Sequence, residues 1–485
     1  MWRKALLIVA LSSVSLPSVA HAAASLRRGS RFPSTDEELI RLHIEARLAA
    51  DFAALQRFRP GYPFWSNIFT IPDGWVAFGS AMDGRLLATF PLQGDWKSAG
   101  RWENMALRGS LQGRSLSSRL ADRRDEVAEI LEVMVGPVMH NPTRGDFLLR
   151  NAETYGGFLE EWGRIYERFG VPAELGLAQA IVESGLSGTV KSEARAIGFC
   201  QWLPRNWDRL QRLSEPVIES QNQTTQAAFC AAYLSVLATK YGSFVPALSE
   251  HHAGATNVGR TVANGRRLGA DDVRERYLLG SALARDLRQL SPRTFRDVLG
   301  SYGPRSFLYS EMVFGNISTV VSIRDEMSQD EIYAMRVPRD LSLEEVARRS
   351  GLPVAEVKRF NPALIRKVPR GATLYLPMMI DDFGTDVSFW HRAPSADFTS
   401  VLNEFIHLDV APEQWEDPTF EPVLLDFRRR FRESGTEEGH VMDTVLGYVL
   451  EEIPLSHRIL MDFRSDPEVE RLFEEGVKLR STLEN

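Results

Sequence analysis

Cysteine is nearly absent from this chain of 485 residues: Cys200 and Cys230 are the only two, which excludes a disulfide-rich scaffold and any zinc site built on four thiolates. Cationic surplus is missing too. Fifty-seven Lys and Arg against 64 Asp and Glu leave a net charge of -7, so there is no basic stripe to gather phosphates and no expectation of a nucleic-acid partner. Beyond Ala20, no run has the roughly 20 apolar residues of a membrane-spanning helix, so no transmembrane anchor is expected in the mature chain. At 44% hydrophobic content the chain can still bury several cores, and its length suggests about three or four domains.

The stretch Val171 to Pro204 carries the chemistry. Pro172 suits a helix start, Leu175, Leu177, Ala178, Ala180, Ile181 and Val182 surround most of the helix, and Gly185 supplies its stop. One acidic residue, Glu183, stands in the last turn. The negative end of the helix dipole and an apolar setting both favour its protonated form, which predicts a general acid.

Met1-Trp2-Arg3-Lys4, the apolar run to Ala20 and the small-residue pattern Ala20-His21-Ala22 read as a secretory signal peptide cleaved near Ala22. Ser12, Ser13, Ser15, Pro17 and Ser18 interrupt the run too early for an anchor. Export permits a Cys200–Cys230 disulfide, and two buried free thiols fit the apolar contexts equally well.

Helical spacing predicts elements at Asp36 to Phe58, with Ser34 or Thr35 as cap, and at Leu120 to Val135, Phe147 to Phe169, Thr224 to Tyr241, Asp272 to Leu290 and Tyr309 to Val321. Trp75 to Phe78 and Leu86 to Phe90 flank Asp83-Gly84 as a hairpin, with Trp65, Trp75, Trp96 and Trp102 read as core. Gly136-Pro137 and Asn141-Pro142 mark a linker or turn region. Further on, Tyr333 to Val337, Ser342 to Ser350, Pro353 to Phe360 and Thr373 to Pro377 read as strand, helix, helix, strand. The remainder carries helices at Phe398 to Ile406, Glu421 to Glu433 and Val441 to Glu452, punctuated by Pro412, Pro418 and Pro454, and reads as a helical appendage.

Gly170-Val171-Pro172, Glu183-Ser184, Ser192 through Gly198, Gln201 and Pro204, in that order, resemble the catalytic domain of lytic transglycosylases, most closely the membrane-bound lytic murein transglycosylase D type, over Leu148 to Tyr309. The resemblance implies a lysozyme-like helical domain that cleaves peptidoglycan glycan strands between N-acetylmuramic acid and N-acetylglucosamine and forms a 1,6-anhydro product. Glu183 would serve as both acid and base, with no cofactor and no metal. It also implies substrate-binding roles for Ser184, Gly198, Gln201 and, by a looser match, Tyr309. Where the family has Ala-Tyr-Asn-x-Gly this chain has Glu250-His251-His252-Ala253-Gly254, so His251 and His252 take the tyrosine and asparagine places in the cleft. Adjacent histidines lack the i,i+4 spacing of a helical metal site. Trp202 and Trp207 fit a groove or a core. No cysteine near the cleavage site offers a lipid anchor, unlike lipid-anchored members of that family.

Leu341 through Ala347, Leu352, Val357, Asn361-Pro362 and Gly371 to Leu374 resemble a LysM module, which implies binding to N-acetylglucosamine-containing polymer. The expected plan is multidomain and mainly α: signal peptide 1–22, α+β region 23–113, lysozyme-like domain 114–328, LysM module 329–378 and helical region 379–485. The product would be exported, to the periplasm or the cell wall. Two other readings stand beside it: a hydrolytic muramidase with Glu250 or Asp208 as second carboxylate, and a non-catalytic peptidoglycan-binding scaffold.

Overall fold

Thr35 starts the first helix, Asp36–Phe58, by accepting a hydrogen bond from the Glu38 N–H at 3.2 Å. The computed structural model describes residues 35–290, Phe295 and 306–482; the expected signal peptide and Ser34 lie outside them. Within the described residues the chain is mostly helical.

Asp51, fully buried on that first helix, accepts from the Ser243 hydroxyl at 2.6 Å, the Phe244 N–H at 2.7 Å and Arg274 Nε at 2.6 Å. A carboxylate placed on the free N–H groups at a helix start satisfies them and complements the dipole. The helix so fixed, Phe244–Ala253, carries both histidines of interest.

The hairpin forms as Trp75–Ser80 and Leu86–Pro91, although its connection runs over five residues with Gly84 at φ 75°. Val138–Pro142 corrects the sequence reading: it is an edge strand pairing antiparallel with Trp75–Ser80, and Pro142 is tolerated at its end. Phe78, Phe90 and Trp96 pack beneath this sheet against the Leu120–Val135 helix, with Phe90 and Trp96 stacked at 4.9 Å. Trp65 and Trp96 are core residues, and Arg101 lies 4.1 Å over the Trp75 ring.

Two predicted helices are each divided. Gly145–Tyr155 and Leu159–Arg168 are separated by a single 3-10 turn at Gly156–Phe158, where the adjacent glycines weaken helix propagation. Tyr309–Gly315 likewise ends at Asn316, and Ile317–Glu326 follows as a separate helix. Gln223–Tyr241, by contrast, is buried at every position, Gln223, Gln226 and Lys240 included. The Phe244–Ala253 and Leu159–Arg168 helices both pack on it.

The 333–376 segment forms a βααβ unit in which Tyr333–Arg336 pairs antiparallel with Thr373–Leu376 and encloses its own small core. It is firmly seated. Phe360 and Tyr375 join the main core, Asn222 Nδ2 donates to the Phe360 carbonyl at 3.1 Å, and the Tyr375 and Thr225 hydroxyls lie 2.5 Å apart. Glu219 accepts from the Thr373 N–H at 2.8 Å in the same joint, and burial pushes its carboxyl up to about 7.

The C-terminal region is no appendage. Its Glu437–Ser465 helix continues past Pro454 and packs on the Gln223–Tyr241, Ala255–Arg267 and Pro204–Leu213 helices. Burial of Val445, Leu446, Tyr448 and Ile453 outweighs the lost proline N–H. Among the described residues no helix is long and apolar enough to cross a membrane.

Candidate active site

Ala173–Ser184 forms the predicted helix, with Pro172 in the capping position and Gly185 at φ 53° returning its N–H to the Ile181 carbonyl at 2.9 Å. The left-handed stop suits glycine, and it leaves Glu183 in the last turn. Its side chain is 11% exposed.

Three side chains converge on Glu183 Oε1. Tyr309 donates its hydroxyl at 2.6 Å, while His251 Nε2 and His252 Nδ1 each stand 3.8 Å away, near enough for charge interaction and long for a hydrogen bond. The His252 and Tyr309 rings stack at 4.4 Å and 9°.

This arrangement corrects the expected protonation. Burial does push the Glu183 carboxyl upward, but the His252 imidazole, the neighbouring His251 ring and the Tyr309 hydroxyl together hold it below the usual glutamate range. The dipole and desolvation arguments were read from the glutamate's own helix alone. Groups brought by two other helices reverse the sign.

The loop after the helix is fixed by its own backbone. Bridges join Lys191 to Ile197 and Ile197 to Trp202, the Gly198 N–H donates to the Val190 carbonyl at 2.8 Å, and Leu186, Arg195, Gly198 and Gln201 all have positive φ. Ser184 sits beneath it, 1% exposed, with its hydroxyl 3.0 Å from both the Ala180 and Phe199 carbonyls. It ties helix to loop and is out of reach of a sugar, which corrects the substrate-binding expectation. Gln201, only part-buried, turns its amide inward to the Gly198 carbonyl at 2.9 Å.

Gln226, from the central helix, clamps the loop. It accepts from the Phe199 N–H and donates to the Gly188 and Ser220 carbonyls at 3.2 and 2.6 Å. Gly198 makes this possible, since a Cβ there would lie 2.4 Å from both Gln226 Nε2 and the Gly188 oxygen. Gly198→Ala, at φ 72°, is therefore expected to destabilise the protein by about 1–3 kcal/mol, read as a lower urea midpoint. An unshifted midpoint would mean that the loop absorbs the methyl group freely.

Cys200 and Cys230 are joined in a disulfide with Cα atoms 6.4 Å apart, which resolves the two readings of the thiols. The Cys200 carbonyl also meets His251 Nε2 at 3.0 Å. His251 is 3% exposed at its side chain, so it backs the carboxylate instead of lining the cleft as expected. Trp202 and Trp207 are both 4% exposed and belong to the core, where Tyr448 from the C-terminal region stacks on Trp202.

The second-carboxylate candidates lie elsewhere. Glu250 is engaged by Lys240 Nζ at 2.9 Å and by the Tyr241 hydroxyl, and Asp208 is exposed on the Pro204–Leu213 helix. Among the described residues there is no group of three or more His, Cys, Asp or Glu placed to hold a metal ion. Asp51, Gln226 and Tyr448 escaped the sequence reading. Gln226 shares its helix with a second amide, Gln223, so composition alone did not single it out.

No match to a curated protein is found. Residues 160–273, from the helix before Glu183 to just past the two histidines, match the family model described as Transglycosylase SLT domain, under a quarter of the chain, and this supports a lytic transglycosylase acting on peptidoglycan.

Proposed function

We propose that this chain cleaves the β-1,4 bond between N-acetylmuramic acid and N-acetylglucosamine in peptidoglycan with 1,6-anhydro product formation, Glu183 acting as the single general acid and base. The observation that carries the reading is the nearly enclosed Glu183 carboxylate, met by His251 and His252 from within the segment that matches the SLT family model and by Tyr309 from beyond it. Protonation of the leaving-group oxygen by Glu183 is followed by attack of the sugar's own 6-hydroxyl, whose proton returns to the same carboxylate. Intramolecular attack replaces a bound water by proximity, so one carboxylate suffices. The engagement of Glu250 by Lys240 supports this over hydrolysis.

The reading extends to an exported protein, cleaved near Ala22 and acting in the periplasm or at the cell wall. The βααβ unit serves as a LysM module that holds N-acetylglucosamine-containing polymer and raises its concentration at the cleft. Mass spectrometry of murein sacculi digested with the purified protein is expected to show anhydro-muropeptides. Reducing ends in their place would establish a hydrolase, and binding without release would establish a scaffold.

A further inference from the structure

The two imidazoles beside Glu183 are equally distant and chemically unequal. His251 is buried, its Nε2 meets the Cys200 carbonyl at 3.0 Å, and among the described residues its buried Nδ1 has no hydrogen-bond partner. A charged ring would strand an N–H there without an acceptor, so His251 is held neutral, and burial pushes its titration below the ordinary histidine range. Tyr309 is 1% exposed, and burial lifts its hydroxyl far above the usual tyrosine range. Tyr166, near enough to act on Tyr309 electrostatically, is likewise buried. His252 differs from all three: its side chain is 34% exposed, and its ring is held flat against Tyr309 with Nδ1 toward Glu183 Oε1.

We propose that His252 is the acid–base partner of Glu183, the two side chains holding one proton between them and passing it through Glu183 to the leaving-group oxygen. This rests on the glycan-cleaving reading above. That proton has two places, one on the imidazole with Glu183 ionised and one on the carboxyl. Transfer from Nδ1 to the carboxylate, by rotation of the exposed ring or through one water, forms the reactive tautomer. The C1–O bond then breaks as its oxygen takes that proton, the 6-hydroxyl oxygen bonds to C1, and the hydroxyl proton returns to Glu183. Proton count is unchanged over a turnover. His252 touches no reacting atom and is a positioning residue for the proton.

A shared proton makes two opposite shifts. Wild-type activity is lost on the alkaline side when the pair gives up its last proton, whereas a variant lacking a titrating partner loses activity when Glu183 alone ionises, which occurs at lower pH. Conversely, the Glu183 carboxyl itself ionises at higher pH once the neighbouring cation is gone.

Initial rates of muropeptide release from sacculi are to be compared over about pH 4 to 9 for wild type, His252→Asn and His252→Phe, the last keeping a ring on Tyr309. Both variants are expected to lose activity at least about one pH unit lower than wild type, and the ¹³C carboxyl resonance of Glu183, assigned by its absence in Glu183→Gln, to titrate at least about one unit higher. Superimposable alkaline limbs, or a carboxyl resonance that titrates unchanged, overturn the pairing. Should wild type release nothing from sacculi, the glycan-cleaving reading fails, and the resonance alone decides the pair.

Discussion

Glu183→Gln is expected to slow glycan-strand cleavage by about 10²- to 10⁴-fold while leaving the fold intact. Glutamine matches glutamate in shape, and its side-chain oxygen still accepts from the Tyr309 hydroxyl that lies 2.6 Å from Oε1 in the native site. What it cannot do is take up a proton and release it. The core of Leu175, Leu177, Ala178 and Ile181 around the helix is untouched, so circular dichroism and thermal midpoint should match wild type. The measurement is soluble muropeptide released from sacculi per unit time, with retention of the variant on sacculi as a control for binding. A rate within about threefold of wild type, well short of the acid–base contribution, would remove Glu183 from the chemistry and leave a glycan-binding protein.

Much of the acid's scaffold can be read along the chain because it is local. Pro172, the apolar run and Gly185 bound one helix within a few residues of one another, and the structure reproduces the helix with Glu183 in its last turn. The charge state of that glutamate is not local. It depends on His251 and His252 from a helix set by Asp51, and on Tyr309, which is 126 residues from Glu183. Periodicity carries no information about such convergence, so the helix-dipole and burial arguments gave the wrong sign.

Other departures have equally specific origins. Asn141-Pro142 has turn composition, yet the backbone of Val138–Pro142 finds a partner in Trp75–Ser80, and pairing prevails over propensity. Pro454 has the signature of a helix break, yet the flanking residues are held by burial against the catalytic half. The βααβ unit was legible because strand and helix signals alternate at short range. Its seating through Phe360 and Tyr375 was not, since both residues read equally well as part of the unit's own core.

Replacing Cys200 and Cys230 together by alanine is expected to cost about 3–4 kcal/mol of stability, the loop-closure entropy released into the unfolded chain when a cross-link between residues 30 apart is lost. Both residues are fully buried, so alanine fits the space without stranding a hydroxyl, whereas serine would. The double variant is preferable to added reductant, because a bridge without solvent contact is reduced only after the structure opens. Activity should fall with stability but for a separate reason. The bridge holds the Cys200 backbone against the central helix, and the Cys200 carbonyl is what keeps His251 Nε2 directed behind the Glu183 carboxylate. Freed of that tether, the loop keeps its own backbone bridges and the grip of Ser184 and Gln226 on the Phe199 carbonyl and N–H, but residue 200 loses its covalent link to the central helix. A lower urea midpoint together with slower muropeptide release at a temperature where the variant remains folded is the expected pair of results. Full activity at that temperature would show that these remaining contacts suffice to place His251, and would confine the disulfide to stability.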